Sequence, residues 1–320
     1  MLAFDSAAYH ELVASLRRVL REHYGLTSAA LSAPHAGYAS LIWKVRDLAS
    51  RREFFAKVVR DSDRPQPLES EVRWMDALAK IAAGRRNGAK RGVRVPTIQT
   101  SLAQSSVLTQ PCSPGYSCSL VEALEPNRHY DFLEQVPSRV DCETAARALH
   151  DLHELGAEAL LAGTQPPSAE GFVSQEPGLF AELPQVVLHG DFHPANLAFS
   201  DSDAVGVFDF EYARLDMRVW DIAYATLFFC VDWGSPEPSI NSDQERQFIS
   251  AYDSACGATI PRLVTDELRV LARAQKVICE ANVAWCEHAL TAPAFVAPAV
   301  RETLLRLQRG SLSVLASPDE

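Results

Sequence analysis

The chain has 320 residues, 47% hydrophobic and 22% charged, enough for one large domain or two lobes around a substantial core. A net charge of −11 argues against the basic face that non-specific nucleic-acid binding requires. The seven cysteines contain no CxxC spacing, so neither a zinc site nor a redox dithiol is expected, and a reducing compartment is.

The opening segment, MLAFDSAAYHELV, has no basic stretch leading into an apolar core and does not read as a signal peptide. Leu12, Leu16, Val19, Leu20 and Tyr24 recur at three- and four-residue steps, which predicts an amphipathic helix over Ser6–Tyr24 stopped by Gly25. LIWKVRD (Leu41–Asp47) and REFFAKVVR (Arg52–Arg60) are β-type runs, and the short ASR between them predicts a hairpin. PLESEVRWMDALAKIAA (Pro67–Ala83) predicts a helix with Leu68, Val72, Met75, Leu78, Ala79 and Ala82 on one face. GRRNGAKRGVR follows, five basic residues among glycines. It lacks interleaved aromatics and P-loop spacing, and reads as a solvated connection.

VPTIQT (Val95–Thr100), SVLTQP and CSLVEALEP (Cys118–Pro126) predict further strands up to Pro126-Asn127. Beyond them DCETAARALHDLHELG (Asp141–Gly156) is helical, as is most of the chain from Gln244 onward. The longest apolar run, Ile222–Val231, is too short to span a bilayer, so a soluble, cytoplasmic protein with no membrane partner is expected. A strand-rich first third and a helix-rich remainder predict two lobes joined near Glu122–Asn127.

The chemistry concentrates in VVLHGDFHPANLAFSDSDAVGVFDFEYARLDMRVWDIAYA (Val186–Ala225). LHGDFH begins where a β-type run ends. Asp191 and Asn196 bracket a proline that forbids a regular helix, and AVGVFDF is an apolar strand with Asp209 at its end. Asn and Asp oxygens such as those of Asn196 and Asp209 suit a hard cation such as Mg2+, and the other carboxylate, Asp191, can take the proton of an attacking hydroxyl. Phosphoryl transfer would also need a lysine on an upstream strand and a glutamate to steady it. Lys57 stands among apolar residues in FFAKVV, and Glu71 falls in the inward stripe of the next helix. Two other readings are weaker. Burying so many acids in a purely structural core would cost several kcal/mol each without partners, and the HGDFH spacing of a zinc hydrolase has no further ligand cluster to complete it.

HGDFHPANL, FDFEYAR and WDIAYA resemble the aminoglycoside phosphotransferase, choline kinase and homoserine kinase superfamily of protein-kinase-like small-molecule kinases. In the same order AGYASLIWKV resembles its nucleotide loop, SLVEALEP its hinge, and AARALHDLH the first helix of its large lobe. The resemblance implies an α+β bilobal fold. A small antiparallel-sheet N-lobe (1–124) would bind nucleotide, and a large, mostly helical C-lobe (125–320) would carry the catalytic loop and the acceptor region.

It further implies an ATP-dependent phosphotransferase (GTP not excluded) that uses Mg2+ on a small hydroxylated acceptor, an antibiotic or an amino-alcohol metabolite. Asp191 would be the base and His189 would shape its loop. Asn196 and Asp209 would bind the metal, and Lys57 the α- and β-phosphates, steadied by Glu71. Gly37 and Ser40 would line the nucleotide loop, and the backbone of Glu122, Ala123 and Leu124 would hold the adenine edge. Asp221 would brace the catalytic loop. Acceptor contacts are expected among Glu211, Asp216, Asp232, Trp233, Glu237, Glu280 and Trp285.

The nucleotide loop departs from the protein-kinase pattern in carrying only Gly37. A silent nucleotide-binding scaffold of the same fold would be expected to lack Lys57, Asp191 or Asp209, and all three are present. A protein kinase would show HRD and APE signatures, and these are missing.

Overall fold

The computed structural model describes residues 6–36, 40–63, 66–85, 92–102, 109–124, 130, 135–167, 182–200, 204–255, 259–291 and 298–316. The first helix, α1 (Ser6–Tyr24), matches its predicted span and ends at Gly25, whose φ of 70° breaks the helical path. Short strands β1 (Ala29–Leu31) and β2 (His35–Ala36) lead into the hairpin of β3 (Ser40–Asp47) and β4 (Glu53–Arg60), in which Ile42 faces Lys57 and Trp43 faces Ala56. The turn is tied by Asp47, whose carboxylate accepts the Ser50 amide at 3.0 Å and the Ser50 hydroxyl at 2.5 Å, while Arg51 takes a φ of 61°.

Helix α2 (Leu68–Arg85), strand β5 (Gly92–Arg94), and the pair β6 (Thr109–Ser113) and β7 (Tyr116–Glu122) follow. The antiparallel sheet has the order β1-β3-β4-β7-β6, with β2 also on β3. Period-two alternation decides its two faces. Trp43, Val45, Phe54, Ala56 and Val58 join Leu12, Leu16, Val19 and Leu20 of α1 in one buried cluster. Lys57 and Val59 point the other way, and Val59 belongs with α2 and the second half of the chain.

VPTIQT does not form the predicted strand. It touches β7 through a single bridge, Ile98 to Val121, and Pro96 has no amide to extend a ladder. Conversely, the GVR of the basic connection is strand β5, which pairs in parallel with β10 (Ala204–Val207) far along the chain.

The second half opens with α3 (Arg139–Leu161), N-capped by Ser138, whose hydroxyl accepts the Asp141 amide at 3.2 Å. Two small sheets then carry the site. In one, β8 (Gln185–Leu188) pairs with β11 (Arg214–Met217), and in the other β9 (Leu197–Phe199) pairs with β10. Helix α4 (Val219–Cys230) is buried along its whole length, α5 (Ser242–Ser254) and α6 (Thr265–Thr291) pack against it, and α7 (Pro298–Ala316) packs on α6. Among the described residues no helix is long and apolar enough to cross a membrane.

Candidate active site

The HGDFHPAN loop leaves β8 at Leu188 and turns at Gly190, where φ is 81° and a Cβ would stand 2.4 Å from the Tyr212 carbonyl oxygen. Only glycine passes there. Asp221, from the first turn of α4, braces the turn: its Oδ2 accepts the His189 amide at 2.7 Å and its Oδ1 the Gly190 amide at 2.9 Å. Burial pushes the Asp221 carboxyl up, but hydrogen bonds and charge from His153, with His189 and the Gly190 amide, outweigh it and hold the pKa low. His153 bridges onward, with Nε2 3.1 Å from Asp221 and Nδ1 2.7 Å from the Tyr252 hydroxyl.

The ring of His189 is used within the loop. Its Nδ1 accepts the Asp191 amide at 3.2 Å and its Nε2 donates to the Phe208 carbonyl at 3.1 Å, which requires the neutral imidazole. Burial lowers its pKa in the same sense. His193 caps the following turn, Nδ1 accepting the Ala195 amide at 3.2 Å. These bonds occupy both ring nitrogens of His189, which a zinc reading would require as a ligand.

Both oxygens of Asp191 are engaged. Asn196 Nδ2 donates to Oδ2 at 2.9 Å, the Tyr224 hydroxyl donates to Oδ1 at 2.5 Å, and His193 Nε2 stands 3.5 Å from Oδ2. The Asn196 amide also donates to the Asp191 carbonyl at 2.9 Å, closing the five-residue loop on itself.

Lys57 lies at the centre of a second group. Its Nζ is 2.9 Å and 3.1 Å from the two oxygens of Glu71, 2.8 Å from Asp209 Oδ1 and 4.0 Å from Glu211. Glu71 is only 2% exposed. Asp209 follows β10 with a φ of 67°, an unusual conformation for a residue with a side chain and one that clusters at functional sites. Oxygens of Glu71, Asp209 and Glu211 lie within 4.8 Å of one another, a hard-donor set that fits a divalent cation.

Glu211 is therefore beside the lysine rather than in the acceptor region expected for it. It follows Asp209 by two residues, and the loop turns both toward Lys57.

The other expected positions divide. Ser40 opens β3 and is buried, and Gly37 lies outside the described residues. At the end of β7 the Glu122 amide donates to the Thr97 carbonyl at 2.9 Å and the Ala123 amide to the Glu53 carbonyl at 3.0 Å, so these two donors are used inside the fold. Leu124 packs against Gly206 of β10, where a Cβ would stand 2.6 Å from its Cδ1.

Trp233 is a core residue, 2% exposed. Its indole donates to the Leu227 carbonyl at 3.2 Å, its ring stacks on Phe228, and Gly310 of α7 lies against it. It offers no face to an acceptor. Asp232 is exposed and accepts the Gly234 amide in a turn, Glu280 is exposed and pairs with Arg273, and Asp216 pairs with Arg214 within β11. Sequence reasoning missed Tyr224. It stands within the apolar run IAYATLFFCV, and nothing in the spacing pointed its hydroxyl at Asp191.

The model of the phosphotransferase enzyme family matches residues 159–257, the part that contains the HGDFHPAN loop, Asp209 and α4. Over those residues the sequence is similar to that family. A homoserine kinase of Rhodopseudomonas palustris (strain TIE-1) is 28% identical over 206 residues, 52% of this chain and 62% of that protein. A second homoserine kinase, from Zymomonas mobilis, is 31% identical over 78 residues, 24% of this chain and 23% of its own. The chain thus spans about three fifths or less of the length of the curated relatives it matches.

Among solved structures, an amicoumacin kinase in complex with AMP-PNP, Ca2+ and Ami superposes with a TM-score of 0.62 at 13% identity, covering 96% of this chain and 93% of that one. An ethanolamine kinase of Plasmodium vivax superposes with a TM-score of 0.57 at 13% identity over 97% and 89%. At such identity the likeness is one of fold: α+β, bilobal and protein-kinase-like, with a sheet-rich N-lobe and a helical C-lobe.

Proposed function

We propose that this chain is a small-molecule kinase that transfers the γ-phosphate of ATP, or of GTP in its place, to a hydroxyl of a hydroxylated metabolite or antibiotic. The observation that carries the reading is the 2.8 Å pairing of Lys57 with Asp209, residues 152 positions apart and on different lobes, beside a loop that presents Asp191. Residues 1–124 would hold the nucleotide, and 125–320 the catalytic loop and the acceptor.

In the reaction the acceptor oxygen bonds to the γ-phosphorus, the bond from that phosphorus to the β–γ bridging oxygen breaks, and the hydroxyl proton passes to Asp191. A carboxylate of ordinary basicity suffices for this, because positioning and charge neutralisation supply most of the rate. His189 stays neutral and fixes the loop, and Asp221 anchors it. Lys57 exchanges carboxylate partners for phosphate oxygens while Glu71 keeps its ammonium in place. Asp209 and Asn196 would supply oxygens to the metal, and Glu211, whose oxygen lies within 4.8 Å of one from Asp209, stands beside that acid. When bound, Mg2+ neutralises phosphate charge. The adenine edge falls to the Glu122 carbonyl and the Leu124 backbone, since the Glu122 and Ala123 amides serve the fold. Homoserine-like and ethanolamine-like amino alcohols lead the acceptor candidates, because relatives that bear those names share the sequence or the fold.

The test is ADP release from Mg·ATP across a panel of amino alcohols, sugars and aminoglycosides. At least one acceptor should stimulate release, and Asp191→Ala should lower that turnover by about 10²- to 10⁴-fold while nucleotide affinity stays within a few-fold. Nucleotide binding without stimulated ADP release from any acceptor would instead identify a binding scaffold.

A further inference from the structure

Helix α4 makes a second contact with the catalytic loop that bracing alone does not require. Asp221 and Tyr224 are three residues apart, so their side chains leave the same face of the helix. Asp221 takes the amides of His189 and Gly190, and Tyr224 reaches the side chain of Asp191. One helical turn thereby grips three consecutive residues of the loop, the last of them by its reacting group.

The direction of this bond is set by chemistry. A carboxylate can only accept, so the tyrosine hydroxyl donates. Burial first, and then the charge of Asp191, hold the Tyr224 hydroxyl well above its usual pKa, which keeps the proton on the phenol. The ring is seated independently of the bond, packed 4.7 Å from the ring of Phe228, which in turn stacks on Trp233. A phenylalanine would fill the same space. The hydroxyl is therefore extra to packing, and in a helix whose residues are all buried it is aimed at the single carboxylate the reaction uses.

We propose that Tyr224 is a positioning residue: its hydroxyl and the Asn196 amide each hold one oxygen of Asp191, fixing the carboxylate plane so that an unshared lone pair faces the incoming hydroxyl. This rests on the kinase reading above. Asn196 alone leaves the carboxylate hinged about its remaining oxygen, and misplacement of a reacting group by about 1 Å costs on the order of a hundredfold in rate. Tyr224 removes that freedom without touching nucleotide or acceptor.

The experiment compares the wild-type chain, Tyr224→Phe, Asp191→Asn and the double variant, each measured for acceptor-stimulated ADP release, nucleotide binding and melting temperature. Tyr224→Phe should lower kcat by about ten- to a hundredfold, with the KM for Mg·ATP within about twofold and the melting temperature nearly unchanged. In the Asp191→Asn background the same substitution should change the residual rate by less than about twofold, because its effect passes through the carboxylate.

A single variant with near wild-type kcat, or an equal loss in both backgrounds, overturns the proposal. Tyr224→Met serves as the alternative should the phenylalanine variant not fold, and failure of both to fold also overturns it, since the hydroxyl would then serve the structure. A wild-type chain inactive on every acceptor rejects the kinase reading itself, an outcome visible before any variant is compared.

Discussion

At the scale of single residues, burial acts on the protonation of two histidines of the second half. His189 and His150 are both buried, and burial lowers both pKa values below the ordinary 6.5. For His189 the neutral form is used, one nitrogen accepting and one donating. His150 has no well-formed hydrogen bond on either ring nitrogen among the described residues, and packs edge-on against Tyr252.

A histidine whose folded pKa is depressed takes up its proton more readily in the unfolded chain. Its contribution to stability is complete above pH 6.5 and is lost as pH falls below it toward the folded value. Each such residue then costs up to about 1.4 kcal/mol per pH unit. Denaturant melts between pH 7.5 and 5 should show stability falling with acidity, and His150→Phe should flatten that fall while leaving stability at pH 7.5 unchanged or raised. An equally steep fall in the variant would place the titrating group elsewhere.

The meeting of Lys57 with Glu71 and Asp209 was legible in sequence because charge amid apolar neighbours calls for a partner, and Asn196 meets Asp191 across five residues of loop. Tyr224 was not, because an aromatic in an apolar run is ordinary core. Trp233 and Glu211 misled for related reasons: a tryptophan after a helix says nothing of which way its ring turns, and two residues of loop decide which side of the cleft an acid faces.

At the scale of elements, legibility follows the range of the interaction that makes the element. Helix α1 and the β3–β4 hairpin are local. The period of α1 and the short turn before Arg52 specify them without knowledge of anything distant. Strand β5 is three residues whose partner, β10, is more than a hundred positions away, so its pairing cannot be read from its own composition. VPTIQT shows the converse, β-type residues that run beside β7 without a ladder.

Because α1 is specified locally yet stabilised by packing, its attachment can be tested. Leu16 is wholly buried between α1 and the sheet. Leu16→Ala should destabilise the chain by about 2–5 kcal/mol in urea melts, the range for a truncated core leucine. It should leave the nucleotide affinity of the remaining folded molecules within a few-fold, since Lys57 occupies the opposite face of β4. A large loss of affinity with little loss of stability would show that α1 acts on the cleft and not on the sheet.

For the whole molecule the decisive feature is a lysine shared between the two lobes. Lys57 is on the N-lobe sheet and Glu71 on α2, while Asp209 comes from the C-lobe. In the free chain this pairing ties the halves together, and in the proposed reaction the same ammonium meets phosphate. The two roles predict separable effects. Lys57→Met leaves Glu71 as a buried carboxylate without its cation, and breaking a buried pair in this way costs about 3–5 kcal/mol. Replacing Glu71 by Leu as well removes the orphaned charge. Apolar replacement of both members of a buried pair is often neutral or stabilising, so the double variant should recover most of the lost stability. Asp209 is partly exposed and can turn to water. Nucleotide binding should not recover. Saturating wild-type chain with Mg·ATP at about 100 times its Kd should raise the unfolding free energy by about 2.7 kcal/mol, and the double variant should gain little or nothing. Urea midpoints with and without Mg·ATP for the three proteins decide the matter. A double variant that regains the nucleotide-dependent shift along with its stability would mean that Lys57 serves the fold and not the phosphates.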